Sequence, residues 1–350
     1  MRMIPHSKPT IDGREARAVA RVLRDGQLGC SGEVDAFERA LHRLVGVRYA
    51  FAVNSGSAAL HLSLLSLRIG EGDSVILPTY CCAAVMNAVK YTGAKVILSD
   101  VEESSYNIGV RSVKKVFTRS VKAIIVPHIF GLAADIEELR SFGVPIIEDC
   151  AMAIGGKLDG RRLGSLGDVS VCSFYATKVM ATGLGGAVLT NNRAIANTIL
   201  DLTQYDNRDD YKVRYNYGIS AISAAIGKMQ LQKLPQFLKR RREIAEFYYS
   251  ELAGLPLPLP LYRGDGSHIY YRFVINIGRN VGEFIEFMKH KGVECKRPVY
   301  KPLHTYFSGL SGSYPIADSI HRSCVSIPIY PSLTEREAKA VVNAIKSYWS

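Results

Sequence analysis

Cys172-Ser173-Phe174-Tyr175-Ala176-Thr177-Lys178 is the stretch from which both fold and chemistry can be read. An apolar, β-prone run, Val169 to Phe174, ends in a small-residue turn that carries one lysine. Gly183, Gly185 and Gly186 follow, then a second apolar run, Ala187 to Leu189. A lysine held between two strands, with hydroxyls beside it, suits Schiff-base chemistry. Desolvation and nearby cations lower an amine's pKa, and a carbonyl compound can then trap it. Upstream, Val144-Pro145-Ile146-Ile147-Glu148-Asp149 reads as a buried strand with two carboxylates at its C-terminal end. Open α/β sheets place their sites at that end.

Working outward, the pattern alternates. Tyr49 to Val53 is a short strand that runs into Asn54-Ser55-Gly56-Ser57-Ala58-Ala59-Leu60-His61, the start of a helix reaching about Leu67. Asn and Ser are good N-caps, and the exposed N–H groups of such a turn suit a phosphate. Strand-like runs follow at Ser74 to Leu77, Ala94 to Leu98, Ala123 to Pro127 and Val144 to Glu148. Helix-like runs lie between them at Ala83 to Tyr91, Val110 to Thr118 and Ala134 to Phe142. Such repetition predicts an α/β fold with a mainly parallel sheet between helices. Residues 10 to 25 and Glu33 to Val45 are expected to be helices flanking a glycine-rich loop. Residues 192 to 203 form another helix. A polar and aromatic loop, Gln204 to Tyr217, precedes a long helix from about Ser220 to Leu252, with Pro235 as a kink or break. The remainder reads as a smaller α+β domain: strands at Tyr270 to Ile277, near Glu294 and at Cys324 to Ile327, with helices at Val281 to Lys291 and Thr334 to Tyr348. The expected division is 1–235 for the large domain and 236–350 for the small one. A lysine for an aldehyde, a carboxylate for a pyridine nitrogen and a helix start for a phosphate are together what pyridoxal phosphate requires.

Composition narrows the classes. The chain has 350 residues, 47% hydrophobic and 22% charged, which suits a globular protein with a sizeable core. No apolar run approaches the roughly 20 residues of a membrane helix, and the first residues lack a signal-peptide core. The cytoplasm is the expected location, with no membrane partner. The seven cysteines are scattered, mostly in apolar runs (Cys150, Cys172, Cys324), and are expected to be reduced. Cys81 and Cys82 are adjacent and the eight histidines form no ligand spacing, so no metal is expected. The net charge of +12 comes without a nucleic-acid-binding signature. Its densest run, Lys239-Arg240-Arg241-Arg242, is read as a solvated helix face, or else as a basic rim steering a phosphorylated ligand.

In joint order and spacing the motifs resemble the DegT/DnrJ/StrS family of pyridoxal-phosphate-dependent sugar aminotransferases, on the aspartate aminotransferase fold. The likeness spans nearly the whole chain. It includes Ile4-Pro5-His6-Ser7-Lys8-Pro9, the Asn54 to His61 turn, Val126-Pro127-His128-Ile129-Phe130-Gly131, Ile147-Glu148-Asp149-Cys150-Ala151 and Gly164-Ser165-Leu166-Gly167-Asp168. The lysine turn, Tyr215-Asn216-Tyr217, Ser223-Ala224-Ala225-Ile226-Gly227, Pro302-Leu303-His304 and Ser326-Ile327-Pro328-Ile329-Tyr330-Pro331 continue it.

The resemblance implies a large cofactor-binding domain with a seven-stranded type of sheet, and it implies roles. Lys178 would hold pyridoxal phosphate as a Schiff base, and the cofactor would pass through its pyridoxamine form. Asp149 would pair with the pyridine nitrogen. Ser57, the Ala58 backbone and Ser173 would hold the phosphate. Asn216 would reach the cofactor of a neighbouring subunit in a homodimer. His304, and more weakly Tyr330, would face the substrate. The implied reaction moves an amino group from an amino acid such as glutamate to a keto sugar, most simply a nucleotide-linked 3- or 4-keto sugar. Three positions depart from the family's pattern: Met152 stands where Gln or His is common near the ring hydroxyl, Cys82 where an aromatic stacks on the ring, and Leu184 where an acid is common. They leave open two alternatives, a keto-sugar dehydratase and a non-catalytic binding or regulatory protein on the same fold.

Overall fold

The computed structural model describes residues 3–29, 32–261, 263–278, 280–307 and 312–349. Two helices open it, α1 (Gly13–Asp25) and α2 (Gly32–Val45). Asp12 starts α1 one turn later than apolar spacing alone indicated, because it forms a reciprocal capping box with Glu15. Cys30, on the expected glycine-rich loop, lies outside the described residues.

Strands and helices then alternate: β1 (Tyr49–Val53), α3 (Gly56–Ser66), β2 (Ser74–Pro78), α4 (Ala83–Tyr91), β3 (Lys95–Ser99), α5 (Val110–Val116), β4 (Val121–Pro127), α6 (Ile136–Leu139) and β5 (Ile146–Asp149). A small hairpin, β6 (Lys157–Leu158) and β7 (Arg161–Arg162), leads to β8 (Val169–Ser173), β9 (Gly186–Thr190) and α7 (Arg193–Thr203). Seven strands form one sheet in the order β1-β9-β8-β5-β4-β2-β3. The ladders from β3 across to β8 are parallel, and β9 pairs antiparallel with both β8 and β1.

Strand periodicity explains the two buried layers. Val75, Leu77, Ile125, Ile147 and Val171 pack into one core, while Ile76, Ile124, Val126, Ile146 and Cys172 pack into the other. Helices cover both faces, which is why these strands read as nearly unbroken apolar runs.

The long helix α8 (Ala221–Leu252) continues through Pro235. Of the kink or break expected there, the break does not occur, although proline removes a hydrogen bond at a cost of about 3 kcal/mol. Burial on both sides of it, by Leu231 and Leu234 before and Phe237, Ile244 and Ala245 after, favours continuity. The 235/236 division therefore falls inside one helix. Beyond it come β10 (Phe273–Asn276), α9 (Val281–His290), α10 (Pro315–Ser323), β11 (Cys324–Ile327) and α11 (Glu335–Lys346). β10 pairs with β11, and the segment near Glu294 adds only isolated bridges, from Val293 to Ile4 and from Lys296 to Ser326. A core of Phe273, Ile275, Phe284, Val325 and Val341 sits here, and Ile4 of the N-terminal arm joins it.

The basic run on α8 differs from its expectation. Arg241 is buried and donates to the carbonyls of Tyr270, Tyr271 and Ile329. Arg240 donates to the Leu333 carbonyl. A guanidinium that satisfies several carbonyls at once joins chain segments, and helical spacing alone does not show which basic residue turns inward. The cysteines described, Cys81, Cys82, Cys150, Cys172, Cys295 and Cys324, are free thiols. No helix among the described residues is long and apolar enough to cross a membrane.

Candidate active site

A cavity of about 530 Å³ opens at the C-terminal ends of the parallel strands. Asp149 ends β5, Ser173 ends β8, and Ser55 to Ser57 form the turn between β1 and α3. All of these line the cavity together with Lys178. Lys178 sits on the β8–β9 connection. The Phe174 N–H donates to the Gly185 carbonyl and the Thr182 N–H to the Phe174 carbonyl, while the Lys178 N–H donates to the Tyr175 carbonyl at 2.8 Å. Gly183 has a φ of +84°, where a β-carbon would be strained. These constraints make a tight, closed loop that fixes the lysine between its strands.

Ser55 caps α3, its hydroxyl accepting from the Ala58 N–H at 3.1 Å. Gly56 is needed for space: a β-carbon there would come within 2.9 Å of the Ser173 β-carbon. The helix start is thereby brought against the end of β8, and the serines of both segments border one cradle. The first N–H groups of α3 precede the helical ladder and point their partial positive charge there.

Two buried carboxylates leave β5. Glu148 accepts from His128 Nε2 at 2.9 Å, from the Gly164, Leu166 and Gly167 N–H groups and from Ser170 Oγ. Burial works against its charge, but the His128 and N–H hydrogen bonds prevail and hold its pKa down at about 2. His128 Nδ1 in turn accepts from the Ala134 N–H, so Nε2 carries the ring proton. The Cys150 thiol donates to the same carboxylate at 3.5 Å, and the lone pairs of His128 and Glu148 are thus engaged by donors.

Asp149 is different. It accepts from the Ala151 N–H at 2.9 Å. Burial pushes its carboxyl above the ordinary value, and the Ala151 N–H, Lys178 and His128 pull the other way without overcoming it. A buried carboxylate bordering a cavity with so little compensation calls for a cation. A protonated pyridine nitrogen is such a cation, and the serine-lined helix start suits a phosphate. The residues present fit pyridoxal phosphate on these two observations.

The expected site residues divide. Ser57, Cys82, Asp149, Met152, Ser173 and Lys178 line the one cavity. Ala58 does not; it is buried, and its N–H is taken by Ser55. Asn216 is exposed and does not line its own chain's cavity, its carbonyl accepting from Asn54 Nδ2 at 3.4 Å. His304 also lies off the cavity lining. Its Nδ1 meets Thr79 Oγ1 at 2.8 Å, its Nε2 meets Asp318 at 3.1 Å, and its ring stacks on Tyr314. Tyr330 is buried in the C-terminal core, where burial pushes its hydroxyl up to about 12.

Other lining residues were not anticipated: Tyr271, Arg272, Tyr300, Lys301 and Tyr306. Lys178 Nζ lies 5.3 Å from the Tyr271 ring centroid. Burial raises the Tyr271 pKa, yet Lys178, Arg272 and a hydrogen bond from Thr177 bring it below its ordinary value. The nearby basic residues offered no local signal, because they reach the lysine only through tertiary packing.

Comparison with known proteins agrees with this geometry. The sequence profile described as the DegT/DnrJ/EryC1/StrS aminotransferase family matches residues 9–346. The GDP-perosamine synthase of Vibrio cholerae is 32% identical over 366 residues, covering 99% of this chain and 100% of that protein. A dTDP-3-amino-3,6-dideoxy-alpha-D-galactopyranose transaminase from Aneurinibacillus thermoaerophilus is 32% identical, covering 95% and 94%. The crystal structure of DesV from S. venezuelae, in complex with a ketimine intermediate, is 31% identical with a TM-score of 0.90, covering 96% of this chain and 94% of that one. With the profile spanning the strands, the lysine turn and the C-terminal domain alike, the chain belongs to the DegT/DnrJ/EryC1/StrS aminotransferase family.

Proposed function

We propose that this chain is a pyridoxal-phosphate-dependent aminotransferase that moves an amino group from an amino acid, glutamate being the first donor to test, to a nucleotide-linked 3- or 4-keto sugar. The observation that carries the reading is the joint placement of Lys178, an undercompensated Asp149 and a serine-lined helix start in one cavity. Pyridoxal phosphate, when bound, supplies an aldehyde that accepts the amino group and a ring that draws electrons from the donor's Cα. Lys178 would hold it covalently through Nζ. When free, Nζ would be the base placed to take the proton from the donor's Cα and to hold it for its return. Asp149 would pair with the pyridine nitrogen and favour its protonated form. Ser57, Ser173 and the first N–H groups of α3 bind the phosphate.

Lys301 adds a cation to the wall, whose single acid is Asp149, and suits a diphosphate-linked sugar. Asn216, exposed on the loop after α7, is proposed to complete the site of a second copy in a homodimer. His304 supports the domain junction from which the substrate side is built, through Thr79 and Asp318.

The test is the visible absorption of purified protein loaded with pyridoxal phosphate. Adding glutamate should bleach the band and release the 2-oxo acid, and a nucleotide-linked keto sugar should restore the band and gain an amine. Ammonia release in place of amine incorporation would turn the assignment to dehydration. Absence of any band, even after borohydride treatment, would end it.

A further inference from the structure

Arg272 lines the cavity immediately after Tyr271 and is half-buried. Among the described residues no carboxylate pairs with its guanidinium. Its polar partner is His6, whose Nε2 lies 3.0 Å from Nη1 and 2.8 Å from Ser326 Oγ. Arginine only donates, so Nε2 is the acceptor and the ring is neutral. Burial, with Arg272, Lys296 and Arg241 adding to it, lowers the His6 pKa to about 2 and keeps it so. The guanidinium is therefore held by a neutral group, and its charge is not spent on a protein anion. Arg241, buried at a small second pocket that His6, Tyr271 and Arg272 also line, adds positive charge and leaves its Nε without a partner.

Arg272 and the reacting lysine line the same cavity and share a neighbour. The Arg272 Cζ lies 5.4 Å and Lys178 Nζ 5.3 Å from the centroid of the same Tyr271 ring, so both cations lie against one aromatic of the cavity wall. Backbone geometry enforces this. Tyr270 has a φ of +51°, unusual for a bulky residue. It is held there by its N–H on His268 Nδ1 and by Arg241 on its carbonyl, while the Arg272 N–H donates to the Phe130 carbonyl. Strain of this kind persists where the surroundings over-determine a conformation, often beside functional sites.

We propose that Arg272 binds the α-carboxylate of the amino-acid donor, with His6 as the positioning residue that presents its guanidinium; the inference rests on the aminotransferase reading above. An α-amino acid carries amine and carboxylate two bonds apart. Its amine must displace Lys178 Nζ, so its carboxylate needs a cation close to that lysine but not on it. A planar fork fixed by one neutral acceptor offers its other N–H groups for a paired, charge-assisted contact.

The cofactor-loaded protein tests this by the rate at which its visible band bleaches with L-glutamate and with 4-aminobutyrate, which lacks the α-carboxylate. Arg272→Gln should weaken the glutamate response by about 10- to 100-fold, leave the response to 4-aminobutyrate unchanged, and so collapse the ratio between them. Arg272→Lys should restore part of the ratio, and His6→Ala should raise the glutamate KM by about 3- to 10-fold with kcat little changed. GDP binding by calorimetry should be unaltered in all three. An unchanged ratio in Arg272→Gln would overturn the proposal, the more so if GDP affinity fell, which would assign the guanidinium to a diphosphate. Should Arg272→Gln fail to load cofactor, an unchanged ratio in both remaining variants overturns it equally. A wild-type band that no amine bleaches removes the aminotransferase reading, and this inference with it.

Discussion

Glu148 and Asp149 leave the same strand end on opposite faces of the sheet, and both are buried. Glu148 is surrounded by donors: a histidine, three backbone N–H groups and a serine. Its charge is fully met, and its carboxyl stays far below the ordinary range. Asp149 has one backbone N–H and a cavity, and burial lifts its carboxyl. The difference separates two uses of a buried acid. A satisfied carboxylate ties the turn at Gly164 to Gly167 to β4 and β5. An undercompensated one is left exposed to whatever cation the cavity receives.

The largest expected effect comes from the cavity side. Lys178→Ala should lower turnover by at least about 10³-fold, since it removes both the covalent anchor and the proton carrier. Steady-state rates at saturating donor would show it. Asp149→Asn should reduce turnover by about 10²- to 10³-fold without lowering the thermal midpoint of the cofactor-free protein. The sign follows from the shift: a carboxyl whose folded pKa is raised costs stability above its ordinary pKa, so losing the charge at neutral pH does no harm.

Glu148→Gln inverts the pattern. Removing a charged acceptor that several buried donors share should cost about 3 kcal/mol, read from urea unfolding, while the folded fraction keeps a near-normal KM for donor. If Glu148→Gln instead reduced turnover with stability intact, the contrast between the two acids would fail.

Acid unfolding sharpens the same contrast. The Glu148 carboxyl is depressed from an ordinary value of 4.5 to about 2. Its contribution to stability is complete above the unfolded value and is lost as pH falls through that window. Stability measured between pH 5 and 2 should therefore drop less steeply in Glu148→Gln than in the wild type. The smallest effect belongs to Cys82, which lines the cavity, is exposed, and caps α4 without a side-chain hydrogen bond. Cys82→Ser provides a capping hydroxyl and should stabilise the protein by at most about 1 kcal/mol, visible as a small rise in thermal midpoint.

How much was legible in the sequence follows the same division. Strand and helix alternation, the lysine turn and the pair of acids at a strand end depend on local pattern, and each stands where it was expected. The distinction between Glu148 and Asp149 was not legible, because the donors of Glu148 come from residues 16 to 22 positions downstream and from His128 on a neighbouring strand end. Nor was the inward turn of Arg241, which sits in a run that reads as solvated until the carbonyls of Tyr270, Tyr271 and Ile329 surround it. Arg272 and Tyr271 reach the lysine from almost a hundred residues away. His304 is legible as a motif residue, but its two ring nitrogens are occupied by Thr79 and Asp318, a fact of packing alone.

The most direct measurement is the pH titration of the Asp149 side-chain carboxyl carbon by ¹³C NMR, assigned by difference with Asp149→Asn, in the cofactor-free and pyridoxal-phosphate-loaded protein. The account predicts a carboxyl that titrates above the ordinary value of 3.8 when free and falls below it once a pyridine nitrogen supplies the missing positive charge. A titration that does not move on loading would show that Asp149 never meets the cofactor's cation, and would contradict the account at its centre.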